Sequence, residues 1–106
     1  MITQKELFDY LKLNPLNVKV WVGDLDDLEG EDYIFVDLIT DNLIASDDKG
    51  IYKSTIQITI ATQSYDDRNT LTDYVKDYLN VSARYDRQDE YQYFLAILEC
   101  EVIFNG

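Results

Sequence analysis

Side chains that can do catalytic chemistry are scarce in this 106-residue chain, which contains no histidine. The commonest general base and metal ligand is therefore missing, and neither a Ser-His-Asp nor a Cys-His arrangement can form within one chain. The lone cysteine, Cys100, falls on the apolar side of a strand pattern, where a thiol is an inert core residue rather than a nucleophile. The four glycines, at 23, 30, 50 and 106, are scattered and build no phosphate-cradling loop. Glu99 and Glu101 lie two apart on one strand face, a spacing that suits acid–base work. No pocket-forming pattern surrounds them, so a solvated strand face accounts for them better.

The densest run of hard oxygen ligands is Asp24-Leu25-Asp26-Asp27-Leu28-Glu29-Gly30-Glu31-Asp32. Against a calcium loop it begins correctly with Asp24 and Asp26. It then puts Leu28 at the third ligand position, Glu29 where glycine is required and Phe35 at the twelfth position in place of glutamate. The run reads as a solvated acidic loop or a charged surface at an interface, and neither a metal nor another cofactor is expected. The nine tyrosines say more. Tyr10, Tyr74 and Tyr78 fall on helical apolar stripes, where core packing explains them. Tyr85 sits in the polar stretch Ser82-Ala83-Arg84-Tyr85-Asp86-Arg87-Gln88, which reads as a loop. Arginine with tyrosine is the pairing most enriched at binding hot spots, while a solvated loop with local ion pairs explains the same residues, and the sequence leaves both readings open.

Nine basic residues face 21 acidic ones, a net charge of −12. A surface so charged repels nucleic-acid backbones and anionic membranes. It suits a protein that must stay soluble, line a passage that does not grip DNA, or imitate DNA. No apolar stretch approaches the ~20 residues of a membrane helix. The first residues lack the basic and apolar segments of a secretory signal, and a single cysteine allows no internal disulfide. A reducing cytoplasm, or a particle assembled there, is the expected setting.

The elements that must carry these residues are legible from periodicity. A helix is predicted over 4–13, opened by the capping box Thr3…Glu6, with Ile2 and Leu7 placed as a hydrophobic staple and Leu7, Tyr10 and Leu11 as the apolar stripe. Asn14-Pro15 ends it. Strands follow over 18–22, 33–39 and 52–62, with an acidic loop at 23–32 and a glycine turn at 46–50. In the third strand Ile56, Ile58 and Ile60 face one way and Lys53, Thr55, Gln57 and Thr59 the other. A second helix over 66–80, capped by Ser64 or Asp66, carries Leu71, Tyr74, Val75, Tyr78 and Leu79 on one face. A polar loop over 81–90 leads to a last strand over 91–104, with Phe94, Ala96, Leu98, Cys100, Val102 and Phe104 on its apolar side and Leu95 and Ile97 on the other.

The expectation is one α+β domain over 1–106, in the order α-β-β-β-α-β, with a mostly antiparallel sheet and both helices packed on one face. Trp21, Phe35, Leu95 and Ile97 are expected on the uncovered face, a half-apolar surface that points to a partner.

The opening helix over 2–13, the long hairpin through 33–62, the helix Asp67-Arg68-Asn69-Thr70-Leu71-Thr72-Asp73-Tyr74-Val75-Lys76-Asp77-Tyr78-Leu79-Asn80 and the closing strand Glu101-Val102-Ile103-Phe104-Asn105-Gly106 span nearly the whole chain. In element order and residue texture they resemble the tail-terminator (tail-completion) proteins of long-tailed bacteriophages. The resemblance is one of pattern, because that family has no catalytic signature. It implies a subunit of a ring, usually hexameric, at the head-proximal end of the tail tube, with no enzymatic activity. The implied partners are other copies of the chain, the tail tube protein and the head-completion or connector protein. DNA would pass through the bore without specific binding, and the setting would be the virion neck. On this reading Asp24, Asp26, Asp27, Glu29, Glu31 and Asp32, or Asp47 and Asp48, face the bore or the tube. Arg84, Tyr85 and Arg87 bridge to a neighbouring subunit or the next component. The competing reading is an acidic DNA mimic that inhibits a nuclease or another DNA-binding protein. A mimic needs carboxylates arrayed along one elongated face, whereas here they are spread over several loops and the helix positions Asp66, Asp67, Asp73 and Asp77.

Overall fold

A computed structural model describes residues 3–23, 31–43, 51–90 and 92–105. The acidic positions 24–30 and the glycine turn at 46–50 lie outside them, as does Ile2 of the expected staple.

Helix α1 (Gln4–Lys12) begins as its capping signature requires, with the Thr3 hydroxyl accepting the Glu6 amide at 3.2 Å. Its stripe buries Leu7 and Leu11 completely. Beyond Lys12 the chain turns on Asn14, which is only 6% exposed. Its amide nitrogen donates to the Leu11 carbonyl at 2.9 Å and the Val18 carbonyl at 3.1 Å, and its oxygen accepts the Val18 amide at 2.9 Å. This side chain satisfies the end of α1 and the start of the first strand together. Asn14→Ala is expected to lower stability by about 1–3 kcal/mol, because it removes three hydrogen bonds made by a buried side chain and leaves the partly buried Val18 amide and carbonyl without it. A denaturant-unfolding midpoint compared with wild type checks this.

Five strands follow: β1 (Lys19–Val22), β2 (Tyr33–Leu43), β3 (Ile51–Thr62), then after helix α2 (Tyr65–Leu79) the strands β4 (Ala83–Gln88) and β5 (Tyr93–Asn105). They form one sheet in the order β1-β2-β3-β5-β4. Strands β2 and β3, β3 and β5, and β4 and β5 pair antiparallel, while β1 runs parallel to β2, so the sheet is mixed. The 13 residues of β5 make the longest strand of the sheet.

The sequence reading is one strand short. Residues 83–88 are not a loop but the edge strand β4, paired with β5 from Ala83↔Leu98 to Gln88↔Tyr93. An edge strand exposed along most of its length needs no apolar alternation, so periodicity cannot reveal it. Strand β2 also runs past residue 39 to Leu43, across a register shift between Leu38 and Thr40.

The core lies between the helices and one sheet face. Ile34 and Val36 of β2, Ile56, Ile58 and Ile60 of β3, and Ala96 and Leu98 of β5 meet Leu7 and Leu11 of α1 and Leu71 and Val75 of α2. Cys100 packs against this cluster, where the apolar alternation of β5 places it. The helices are also tied to each other. Tyr10 stacks on Tyr74 and Tyr78 with centroids 4.2 and 4.1 Å apart. The Tyr10 and Tyr74 hydroxyls each donate to the other residue's carbonyl at 2.6 Å. Trp21, Phe35, Leu95 and Ile97 alternate away from this core, half-buried on the opposite face, as expected.

Candidate interaction surface at the β4 edge

The first turn of α2 is set by Ser64, whose hydroxyl accepts the Asp67 amide at 3.3 Å. Asp66 and Asp67 then sit at the positive end of the helix dipole. One residue on, Arg68 starts the buried stripe that continues through Leu71, Thr72 and Val75. Its side chain therefore points at the sheet, towards the edge formed by β4 and β5, and is only 8% exposed. The guanidinium carbon lies 4.6 Å from the Tyr65 ring centroid, 4.5 Å from that of Tyr85 and 6.0 Å from that of Phe94. Nε and Nη2 both donate to Asn69 Oδ1, at 3.2 and 2.9 Å. Arg87 lies 4.7 Å above Phe94 and reaches Asp89 at 3.5 Å.

Two of the chain's three arginines, Arg68 and Arg87, thus gather on the helix side of one sheet edge in an otherwise acidic protein, while Arg84 of the same strand alternates to the opposite face. Arg68 and Arg87 are interleaved with Tyr65, Tyr85 and Phe94, and Tyr65 and Tyr85 are 55% and 50% exposed. A guanidinium between aromatic faces keeps its charge while shedding water, and it presents planar donors to a carboxylate.

Of the residues singled out from sequence, Arg84, Tyr85 and Arg87 stand together on β4. The strand alternation sends Arg84 to the uncovered sheet face and Tyr85 and Arg87 to the helix side. Asp24, Asp26, Asp27, Glu29, Asp47 and Asp48 lie outside the described residues. Glu31 is exposed, 3.5 Å from Lys19 Nζ, and its carbonyl accepts the Tyr93 hydroxyl at 2.7 Å. The half-buried Asp32 accepts the Gln63 amide at 2.9 Å and so fastens the start of β2 to the β3–α2 turn. Both residues thus have structural partners, and neither contacts Arg84, Tyr85 or Arg87 among the described hydrogen bonds and ion pairs.

Sequence reasoning missed Arg68. The signal was present, because positions 68, 71, 72 and 75 have helical stripe spacing, but an arginine at the head of a stripe reads as solvated. Among the described residues, no group of three carboxylates or thiols converges to hold a metal. Burial, with a smaller contribution from the neighbouring Glu101 charge, pushes the Cys100 thiol up to about 11. Its thiolate is therefore about a hundredfold rarer near pH 8 than that of an ordinary cysteine, and alkylation should be slower by a similar factor until urea unfolds the chain. Timed labelling with iodoacetamide checks this.

Across the uncovered face one row of paired residues runs Trp21↔Phe35↔Thr59↔Ile97↔Arg84, from one sheet edge to the other. The indole Nε1 of Trp21 is buried without an acceptor among the described residues. No known family model matches the chain, and no curated protein matches it.

Proposed function

We propose that this protein is a self-assembling structural subunit of the tail-terminator type, which closes into a ring, ends polymerisation of a tail tube and joins the tail to the head. The observation that carries this reading is the apolar content of the sheet face opposite the helices: Trp21, Phe35, Leu95 and Ile97 sit half-buried there among polar neighbours. A ring subunit needs two different contact surfaces, and an apolar sheet face together with an arginine–tyrosine edge supplies two of suitable chemistry. The −12 charge lets a bore pass DNA without holding its phosphates. The partners are neighbouring copies, the tube protein and the head-completion protein, and the setting is the virion neck.

Light scattering over a wide concentration range, with electron microscopy of the products, tests the reading. Rings or concentration-dependent oligomers support it. A strict monomer that displaces DNA from a nuclease overturns it in favour of DNA mimicry.

A further inference from the structure

We propose that the two edges of the sheet are complementary, so that β4 of one copy pairs antiparallel with β1 of a second copy, setting Asp86 against the neighbour's Lys19 and Arg84 against the neighbour's Trp21. This rests on the self-assembly reading and specifies its contact.

Four unbroken rows of paired residues cross the sheet. On the uncovered face they are Lys19↔Tyr33↔Ala61↔Leu95↔Asp86 and Trp21↔Phe35↔Thr59↔Ile97↔Arg84. On the helix side they are Val20↔Ile34↔Ile60↔Ala96↔Tyr85 and Val22↔Val36↔Ile58↔Leu98↔Ala83. One parallel and three antiparallel pairings make β4 run opposite to β1. A neighbour that keeps the same orientation therefore offers its β1 antiparallel to β4.

When the rows continue across that junction, every pair matches in chemistry. Asp86 meets an ammonium, Arg84 meets an indole, Tyr85 meets Val20, and Ala83 meets Val22. Opposite charges and aromatic–aliphatic pairs are what stabilise neighbouring strands. Val22 is 51% and Tyr85 50% exposed, and the exposed Asp86 carboxylate, which accepts the adjacent Arg87 amide at 2.7 Å, would exchange that local bond for the neighbour's ammonium. Lys19 holds Glu31 only in a surface pair at 3.5 Å, with side chains 65% and 55% exposed, which gives way easily. Both edge strands carry a net charge of +1, and at the one matching position where charges face each other, Lys19 and Asp86, the signs are opposite. Main-chain hydrogen bonding along the edges would supply affinity, and the side chains would set the register.

The test is a charge exchange on the full chain. Lys19→Asp and Asp86→Lys alter exposed side chains, and far-UV circular dichroism confirms that each variant folds. Wild type should gain mass with concentration, and each single variant should associate about tenfold more weakly. An equimolar mixture of the two should regain wild-type association, as should the double variant. Asp86→Lys lowers the net negative charge, so weaker association in that variant cannot come from general repulsion. If wild type associates while neither exchange matters, or the mixture fails to recover, the edge pairing is wrong and self-assembly stands. Loss with Asp86→Lys but not with Lys19→Asp would instead mark a two-fold contact between β4 strands and overturn the proposal. Wild type that never associates sinks both.

Discussion

Ile58→Ala is expected to destabilise the fold by about 2–5 kcal/mol, enough to unfold a large part of the population in mild denaturant. Ile58 is fully buried at the middle of the central strand. It pairs across the sheet with Val36 on one side and Leu98 on the other, both in the core. Truncation leaves a hole walled by strands held in ladders, so the surroundings have little freedom to collapse into it, which favours the upper half of that range. Each kcal/mol should appear as a fall in Tm of about 4–8 °C for a domain of this size, read by calorimetry or circular dichroism. Ile58→Val, which removes one methyl, should cost only about 0.5–1.5 kcal/mol. Equal losses in the two variants would show that this position is not the centre of the core.

Arg68→Ala is expected to cost about 2–4 kcal/mol, which is unusual for an arginine in the first turns of a helix. The loss combines the stacking on Tyr65 and Tyr85, the paired hydrogen bonds to Asn69 and the apolar packing of the side-chain stem. Lysine is a poor replacement. It keeps the charge but has no planar group to lie between rings or to send two donors to one oxygen. Arg68→Lys should therefore recover less than half of the loss. If it restores full stability, charge alone matters at this position and the stacked geometry does not. Because Tyr85 lies on β4, the loss of Arg68 should also loosen the edge strand, visible as faster amide exchange at residues 83–88 than elsewhere in the sheet.

The two helices, the burial of Ile56, Ile58 and Ile60, and the sidedness of β5 were legible from the sequence because each obeys a single period over many residues. Thr3 marked the first helix start, and of the two caps offered for the second, Ser64 and Asp66, the structure uses Ser64. What escaped notice lacks such a period. Strand β4 contributes little to the core beyond Ala83, and its conformation is imposed by hydrogen bonding to β5, a partner later in the chain. The parallel pairing of β1 with β2 is likewise a tertiary decision, since alternation within a strand says nothing about the direction of its neighbour. For the candidate site, composition pointed to Arg84, Tyr85 and Arg87, and they do share an element. It could not supply Arg68, which comes from 16 or more positions earlier and joins them only through the helix-on-sheet packing.

The exchange of hydroxyls between Tyr10 and Tyr74 has a bearing on how the molecule breathes. Each helix closes a hydrogen bond on the other's main chain, and the three rings are layered across the seam. Lifting α1 from the sheet would leave phenols and carbonyls on α2 unmatched, and lifting α2 would do the same to α1. The roof over the sheet therefore opens as one piece, and amides in both helices should share a common opening free energy although more than fifty residues of chain separate them.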